Sequence, residues 1–214
     1  MTDADQRLPD GIVAGDDGIA RCWWPGADPL YRAYHDHEWG RPVADDRLLF
    51  EKLCLEGFQS GLSWLTILKK RENFRRAFAN FDARALVDFG DADRARLLAD
   101  AGIVRHAGKI DAVLNNARRF LDLVEREGSL AAFVWRFEPD PATRPAVFTR
   151  ADVVGSTPAS TALSKELRRR GWAFVGPTTC WAFMQAMGLT NDHLDGCTHR
   201  AAVEAERAAF VRPR

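Results

Sequence analysis

The chain has 214 residues, and its 30 lysines and arginines balance its 30 aspartates and glutamates, so that the formal net charge is zero. This balance argues against a uniformly basic surface, the usual mark of a nucleic-acid-binding protein, although clusters such as Arg168-Arg169-Arg170 leave room for one positive face. No apolar run approaches the roughly 18 residues of a membrane span, so we expect no membrane association. The four cysteines lack the spacing of a disulfide scaffold, which favours a reducing, cytoplasmic setting.

Composition divides the chain into three segments. Residues 1–20 are polar, acidic and glycine-rich, and we predict a disordered N-terminal extension there because such a segment has little to bury. Residues 21–199 carry the apolar periodicity of one folded domain, and the chain is long enough to bury a sizeable core. Residues 200–214 form a tail that we predict to be a short helix. Neither the extension nor the tail shows a chemical motif, so we expect that both can be removed without loss of activity.

Helical periodicity dominates residues 21–199, and alternating β patterns are nearly absent, so we predict an all-α fold. The predicted helices cover, in chain order, residues 31–39, 45–57, 62–79, a short helix after the N-cap Asp82, a short helix around Leu97 and Leu98 that stops at Gly102, and residues 105–127, 160–170 and 177–187. Four prolines within residues 138–159 predict a loop there.

Residues 31–64 concentrate aromatic and acidic side chains. If residues 31–39 are helical, one face carries the residues spaced at i, i+3, i+4, i+7 and i+8, which are Tyr31, Tyr34, His35, Glu38 and Trp39. Further along, Glu56 and Trp64 flank a turn between Gly57 and Gly61. An aromatic wall beside a carboxylate suits a flat, electron-poor or cationic ring, because the ring stacks and the carboxylate accepts its N–H donors. The alternative is an amphipathic helix that buries its aromatic side chains in the core.

The run A-G-I-V-R-H-A-G-K-I predicts a tight turn centred on Gly102 between a short helix and a long one. Such a turn leaves the first N–H groups of the second helix free to bind a phosphate, and Arg105 and Lys109 add positive charge. A helix-hairpin-helix motif that grips a DNA backbone is one interpretation. An ordinary helix–helix turn is the alternative, since Ile103-Val104 stands where that motif usually has its second glycine.

Potential metal ligands lie near both ends of the chain. His193 and Cys197 are four residues apart, while Cys22 and His35 are far away in sequence. An isolated H-x-x-x-C pair is weak support for a metal site, because buried cysteine is common without one. The spacing alone therefore leaves the question of a metal open.

The chain closely resembles the 3-methyladenine DNA glycosylase I family in five runs that follow the family order from about Cys22 to Cys197. These runs are D-P-L-Y-R-A-Y-H-D-H-E-W-G, L-C-L-E-G-F-Q-S-G-L-S-W, L-K-K-R-E-N-F, A-G-I-V-R-H-A-G-K-I and N-D-H-L-D-G-C. The resemblance implies a domain of the helix-hairpin-helix DNA glycosylase type. It also implies an enzyme of base excision repair, which flips 3-methyladenine out of alkylated double-stranded DNA and hydrolyses its glycosidic bond. We expect the enzyme to be a monomer.

The resemblance further implies a structural zinc ion in a closed tetrahedral site that joins the N-terminal and C-terminal segments. Its ligands would be Cys22, His35, His193 and Cys197. Three residues of the hairpin would contact the DNA backbone, namely Gly102, Arg105 and Lys109. We do not count His37, His106 or His199 as ligands.

The base pocket implied by the resemblance is aromatic, with one carboxylate. Its walls would be Tyr31, Tyr34, Trp39 and Trp64. Glu56 would be the catalytic residue, since its carboxylate would accept hydrogen bonds from the exocyclic amine and ring edge of the flipped base, and its charge would favour a cationic base. Glu38 is a rival for this role, although a solvent-facing or capping carboxylate is the alternative for that position.

A base methylated on a ring nitrogen is cationic, so its glycosidic bond is already weak, and catalysis needs little beyond holding the ring and stabilising the oxocarbenium-like sugar. The wider superfamily usually has an essential aspartate after the hairpin. The resembled family is understood to lack it, and neither Asp111 nor Asp122 is a compelling substitute. No lysine is evidently placed as a nucleophile, so we predict a monofunctional enzyme with water as the acceptor.

Two other functions stay open at this point. A non-catalytic DNA-binding module would need the hairpin and the basic clusters but not the aromatic pocket with Glu56. A zinc hydrolase acting on small nucleosides would need a ligand set with one open position, which the four filled positions argue against.

Overall fold

The computed structural model describes residues 8–214, and most of them are helical. Within this range lie ten α-helices: α1 (Pro29–His37), α2 (Asp46–Gln59), α3 (Trp64–Ala77), α4 (Ala83–Leu86), α5 (Asp91–Ala99), α6 (Ala107–Glu127), α7 (Leu130–Trp135), α8 (Pro158–Arg169), α9 (Pro177–Ala186) and α10 (Arg200–Ala209). Two three-residue strands, β1 (Ile12–Ala14) and β2 (Ala20–Cys22), precede them as an antiparallel hairpin. The prediction of a mostly helical fold is confirmed. No helix among these residues has both the length and the hydropathy of a bilayer-spanning segment.

Helix α2 is enclosed by other helices and packs against α3, α6, α7 and α9. Every residue from Leu49 to Phe58 is buried. A helix buried on all sides is normally apolar all round, but α2 carries the buried charges of Glu51, Lys52 and Glu56. Each needs a partner, because an unpaired buried charge is very costly. Glu51 forms an ion pair with Arg75 of α3 at 2.7 Å. Lys52 and Glu56 pair with each other at the candidate site described below.

Side-chain caps set where the site-bearing helices begin. Asp28 accepts hydrogen bonds from the N–H groups of Leu30 and Tyr31 at the start of α1, and Asp45 and Ser63 cap α2 and α3 in the same way. Asp82 caps α4 as predicted, accepting from the N–H of Arg84 at 2.9 Å.

Helix α1 ends earlier than predicted, which changes the expected aromatic face. The helix stops at His37, and the N–H groups of Glu38 and Trp39 both bond the carbonyl of Tyr34. Gly40 follows with φ of 84°, a conformation that favours glycine. Glu38 and Trp39 therefore leave the helical spacing assumed from the sequence. Gly57 likewise lies inside α2, so the turn before Trp64 is made by Gly61 alone, with φ of 79°.

The predicted disordered extension is wrong for residues 8–20. Ile12 pairs with Cys22 across the hairpin, is 6% exposed, and packs with Phe148, Leu194 and Cys197. The physical reason is that the short apolar run Ile12–Ala14 finds a complementary surface once the chain reverses through the turn at Gly15–Gly18. Residues 1–7 of the extension lie outside the described residues.

The C-terminal tail contains the predicted short helix, α10, but it is packed against the rest of the protein. Val203 is fully buried, and the buried guanidinium of Arg207 donates to the carbonyl of Gly188 and to Glu138. Removing the tail would leave Glu138 without this cation and expose the surface under Val203. The structure therefore gives the tail a stabilising role that the sequence analysis did not assign.

Helix α7 was not predicted, although all of its residues are buried. It is short and apolar throughout, so it has no polar face to create helical periodicity. Its start is capped from two directions: Ser129 accepts from the N–H of Ala132, and the carboxylate of Asp46 accepts from the N–H groups of Leu130 and Ala131.

We predict that Ile12→Ala lowers the free energy of unfolding by about 2–3 kcal/mol, because it removes buried methyl groups and leaves a cavity against Cys22 and Leu194. Val13→Ala is the matched control, since the neighbouring side chain is 54% exposed and should change stability by under about 0.5 kcal/mol. Urea unfolding of the two variants measures the difference. Equal stabilities would mean that the hairpin contributes nothing to the fold.

Candidate functional site

One cavity brings together the five pocket residues predicted from the sequence, which are Tyr31, Tyr34, Trp39, Glu56 and Trp64. Its volume is about 210 Å³, below the roughly 300–1,000 Å³ of sites that enclose drug-sized ligands, so it suits a single small ring system. Seven further lining residues were not predicted as pocket residues, namely Trp23, Trp24, Gln59, Val153, Ala182, Gln185 and Asp192. The core interpretation is partly right, since Tyr34 and Trp64 are 4% and 7% exposed, but both also face this cavity.

Trp24 is the centre of the aromatic wall. Its ring centroid lies 5.0 Å from those of Tyr31, His35 and Trp39. Tyr34 and Trp64 form a second pair, with centroids 5.4 Å apart and planes inclined at 44°. Trp24 follows Cys22 by two positions, and its proximity to a predicted metal ligand was the signal that could have identified it.

Glu56 is the carboxylate of this pocket, and a lysine is paired with it. Glu56 is 4% exposed, and its Oε1 lies 2.8 Å from Nζ of Lys52, one turn earlier on α2. Burial raises the pKa of Glu56, and the charge of Lys52 opposes this rise. Burial also lowers the pKa of Lys52 to about 8, against the opposing effect of Glu56. An ionised Glu56 can accept N–H donors from a ligand in the cavity, and its negative charge favours a cationic ring.

Both phenols of the pocket are held in their protonated form. Burial, followed by the charge of Glu56, raises the pKa of Tyr31 to about 12, and the same two causes raise the pKa of Tyr34 well above its usual range. Neutral phenols remain both hydrogen-bond donors and apolar stacking surfaces.

Glu38, the rival carboxylate, points away from the cavity. It is the C-cap residue of α1, its side chain is 46% exposed, and it forms a two-pronged ion pair with Arg71 of α3. The geometry therefore favours Glu56 as the carboxylate that meets a ligand.

Asp192 is a second carboxylate on the cavity wall, and its partners are all within the protein. Gln185 donates to it at 2.7 Å, Thr190 donates at 3.0 Å, and Arg144 pairs with it at 2.6 Å. Its lone pairs are largely occupied, so its evident effect is to orient Gln185, which also lines the cavity, and to hold Arg144.

The four predicted metal ligands, Cys22, His35, His193 and Cys197, form one buried cluster. Their ligand atoms all lie within 4.8 Å of one another. Sγ of Cys197 lies 3.4 Å from Nδ1 of His193 and 3.7 Å from Nε2 of His35. In a tetrahedral zinc site with Zn–S near 2.3 Å and Zn–N near 2.0 Å, sulfur and nitrogen ligands are separated by roughly 3.6 Å. The donor set and its spacing fit such an ion.

The outward-facing nitrogens of both imidazoles are engaged, which fixes the nitrogen that each ring offers to a metal. Nδ1 of His35 lies 2.8 Å from Oδ1 of Asp36, and Nε2 of His193 lies 3.1 Å from the carbonyl oxygen of Trp39. Metal-binding histidines usually donate their second N–H to such an acceptor. Asp36 is in turn held by Arg21 at 2.7 Å.

A second group of possible ligands, His35, Asp36 and His199, shares one histidine with this cluster. It fits a metal less well, because the carboxylate of Asp36 already accepts three hydrogen bonds from Arg21. A bound cation would have to compete with that guanidinium. The two-cysteine, two-histidine set is therefore the better candidate.

The predicted backbone-binding turn lies between α5 and α6, but two of its three residues are used inside the protein. The N–H of Gly102 donates to Asp100 at 2.7 Å, and its carbonyl accepts from Lys70 and Asn73 of α3. Nζ of Lys109 is buried and donates to the carbonyls of Phe58 and Ser60 at the end of α2. Lys109 was expected to add positive charge for a phosphate, but its ammonium is directed into the protein, because the free carbonyls at that helix end attract it.

Arg105 is the predicted hairpin residue that remains exposed. It stands just before α6, whose first residues, Ala107 and Gly108, are exposed as well. Their N–H groups precede the first intrahelical hydrogen bond, which is made to the carbonyl of His106. This helix start with one adjacent cation suits a phosphate oxygen.

Comparison with known proteins gives a consistent result. A family model described as methyladenine glycosylase matches residues 24–201. The chain is 50% identical over 179 residues to DNA-3-methyladenine glycosylase 1 of Escherichia coli strain K12, which covers 84% of this chain and 96% of that protein.

Two solved structures have closely similar folds. A crystal structure of 3-methyladenine DNA glycosylase I superposes with a TM-score of 0.78 at 50% identity, covering 83% of this chain and 98% of that one. A variant of 3-methyladenine DNA glycosylase I in complex with 3-methyladenine superposes with a TM-score of 0.75 at 36% identity, covering 81% and 93%.

Proposed function

Because this chain belongs to the methyladenine glycosylase family, we propose that it excises 3-methyladenine from alkylated DNA as a glycosylase of base excision repair. The relatives are named for this activity, and one similar structure contains the base itself. The observation within this chain that carries the proposal is the small aromatic cavity with the buried carboxylate of Glu56 at its wall. A non-catalytic DNA-binding module does not require that combination, and a zinc-dependent nucleoside hydrolase would need an open metal position that a set of four ligands does not leave.

The cavity supports a mechanism based on binding and electrostatics. The enzyme flips the base out of the duplex, at a cost of a few kcal/mol for unstacking. The aromatic wall formed by Trp24, Tyr31, Trp39 and their neighbours stacks on the planar ring, and Glu56 accepts hydrogen bonds from its exocyclic amine. Because the substrate base is cationic, its glycosidic bond is already activated, so the carboxylate mainly holds the base while positive charge develops on the sugar.

The nucleophile in this mechanism is water, so the enzyme is monofunctional. Lys52 is the lysine near the pocket, but it does not line the cavity, and its ammonium contacts Glu56. To attack the sugar, this lysine would have to reach past the side chains that line the cavity.

The four clustered ligands support a structural zinc ion that would link β2 and α1 to the segment before α10. Cys22, His35, His193 and Cys197 would complete its coordination and leave no position for water. When bound, the ion would supply cross-linking rather than chemistry. The ligand cluster lies beside the pocket, because Trp39 lines the cavity and its carbonyl contacts His193.

The turn between α5 and α6 supports a helix-hairpin-helix contact with double-stranded DNA. Arg105 and the exposed start of α6 would bind a phosphate, while Gly102 and Lys109 hold the turn against α3 and α2. Such contacts fix orientation and carry no sequence information. The proposed unit is a cytoplasmic monomer whose glycosylase domain includes residues 21–199 together with strand β1 and helix α10, which pack against them.

We predict that Glu56→Gln lowers the rate of 3-methyladenine release from methylated duplex DNA by roughly 10- to 100-fold, the range expected when a charged hydrogen bond is lost. Chromatography of the released base measures it, and zinc content should not change. Glu38→Gln is the matched control, because that carboxylate is half-exposed and pairs with Arg71; its effect should stay below about threefold. A larger loss in the control than in Glu56→Gln would assign the role to Glu38.

We predict about one zinc ion per chain in protein purified without added metal, measured by atomic emission, as a closed set of four ligands requires. Cys197→Ser should abolish this and lower the melting temperature, because metal binding contributes directly to folding. Cys180→Ala is the control, since that buried thiol lies outside the cluster. Metal-free wild-type protein with an unchanged melting temperature would contradict the zinc proposal.

We predict that Arg105→Ala weakens binding to undamaged and methylated duplexes alike and reduces the slope of log affinity against log salt by about one, as loss of one phosphate contact requires. Arg118 is exposed on α6, about 20 Å from Arg105 along the helix axis. Arg118→Ala should therefore change neither the affinity nor the salt dependence. Salt-dependent fluorescence anisotropy distinguishes them. Equal effects at the two positions would remove the hairpin from the DNA interface.

A further inference from the structure

Lys52 connects three of the residues that form the pocket. Its Nζ lies 2.8 Å from Oε1 of Glu56, donates to the phenol oxygen of Tyr34 at 2.8 Å, and stands 3.1 Å from the ring centroid of Trp64. The residue is 6% exposed. One buried cation thus contacts the carboxylate and two of the aromatic walls at once.

The ammonium reaches these groups from outside the pocket. Lys52 lines a second cavity, of about 230 Å³, which shares Tyr34 and Trp64 with the pocket. Lys52 itself does not line the pocket. It is therefore in a position to act on Glu56 without occupying the space of a ligand.

We propose that Lys52 is a positioning residue that keeps Glu56 ionised and fixes the orientation of its carboxylate while a base occupies the pocket. This inference rests on the proposed function of the same site. Lys52 touches no part of the base in this arrangement and acts through Glu56 alone.

The surrounding charges leave this task to Lys52. From α1, Tyr31 and Tyr34 face Glu56 as neutral phenols. Three ion pairs among residues that line the two cavities or lie beside them are Arg71–Glu38, Arg75–Glu51 and Arg144–Asp192, so these charges are already partnered. Within residues 8–214, the cation in direct contact with the Glu56 carboxylate is Lys52.

Burial gives the pair a defined pH dependence. Desolvation raises the pKa of Glu56, and the charge of Lys52 counteracts it, so removing that charge must raise the pKa further. Glu56 is ionised only above its pKa, so the acid limb of the activity profile must then move to higher pH. Lys52 itself loses its proton above a pKa of about 8, so wild-type and uncharged variants should converge at alkaline pH.

The test compares Lys52→Met, which keeps most of the unbranched side chain and removes the charge, with wild-type enzyme. The readout is kcat/KM for release of 3-methyladenine between pH 5 and 9. We expect the acid limb to move up by about one unit or more, which is a loss of up to about tenfold on that limb, with similar rates at pH 9. Superimposable profiles, or an equal loss at every pH, would overturn the proposal.

A double variant separates action through Glu56 from a general effect on the fold. In a Glu56→Gln background, Lys52→Met should leave the remaining rate and its pH profile unchanged, whereas an additional loss as large as that in wild-type enzyme would overturn the proposal. Lys69→Met is the control, because this lysine is half-exposed and pairs with Asp28, and its profile should match wild type. Lys52→Gln, which retains a donor but not the charge, should reproduce the shift if Lys52→Met folds poorly.

The inference can also be tested without the proposed activity. The pKa of the Glu56 carboxyl group can be measured by carbon-13 NMR in wild-type protein and in Lys52→Met without any DNA. A higher pKa in the variant supports the inference, and an unchanged pKa overturns it. Absence of 3-methyladenine release by wild-type enzyme, in contrast, would refute the proposed function and leave this measurement intact.

Discussion

The enclosure of α2 by other helices is the constraint on which the site depends. A charged side chain on a helix with no solvent-facing side must find its partner inside the protein. Glu51 forms an ion pair with Arg75, and Glu56 forms one with Lys52. The same loss of water that makes these charges costly also strengthens their interactions. A carboxylate at this position can therefore discriminate between ligands by charge and by hydrogen-bond donors far better than an exposed one.

The cysteine–histidine cluster and the pocket share one set of supports. His35 belongs to the cluster, and its neighbour Tyr34 belongs to the pocket wall. Trp39 lines the pocket through its indole ring and contacts His193 through its carbonyl. Gly40 permits this approach, since a Cβ atom there would lie 3.3 Å from the His193 ring. Anything that fixes the cluster also fixes the spacing of the aromatic rings.

Much of this organisation was predictable from the sequence, and the exceptions have physical causes. Tyr31, Tyr34, Trp39, Glu56 and Trp64 were identified correctly as neighbours around one cavity, and the four metal-ligand candidates do converge. Long amphipathic helices such as α6 were also predictable from their periodicity. Helix α7 and strand β1 were missed, because a fully apolar helix has no period and a three-residue strand is too short to show one.

The remaining errors concern where side chains point. Lys109 was expected to contact the DNA backbone, but the unsatisfied carbonyls at the end of α2 draw its ammonium inward. Lys52 was passed over although it precedes Glu56 by four residues on one helix, a spacing that places the two side chains together. Whether such a pair faces water or the interior depends on packing by distant segments, and sequence spacing does not contain that information.

Both carboxylates of the cavity have their own cation, Lys52 for Glu56 and Arg144 for Asp192. At a distance the field of such a pair is that of a dipole, which decays much faster than the field of a single charge. The cavity therefore attracts free polyamines and metal ions only weakly at long range, and its affinity for a positive ring arises only at contact. Damaged bases must be found by sampling them one at a time, rather than by attraction from afar.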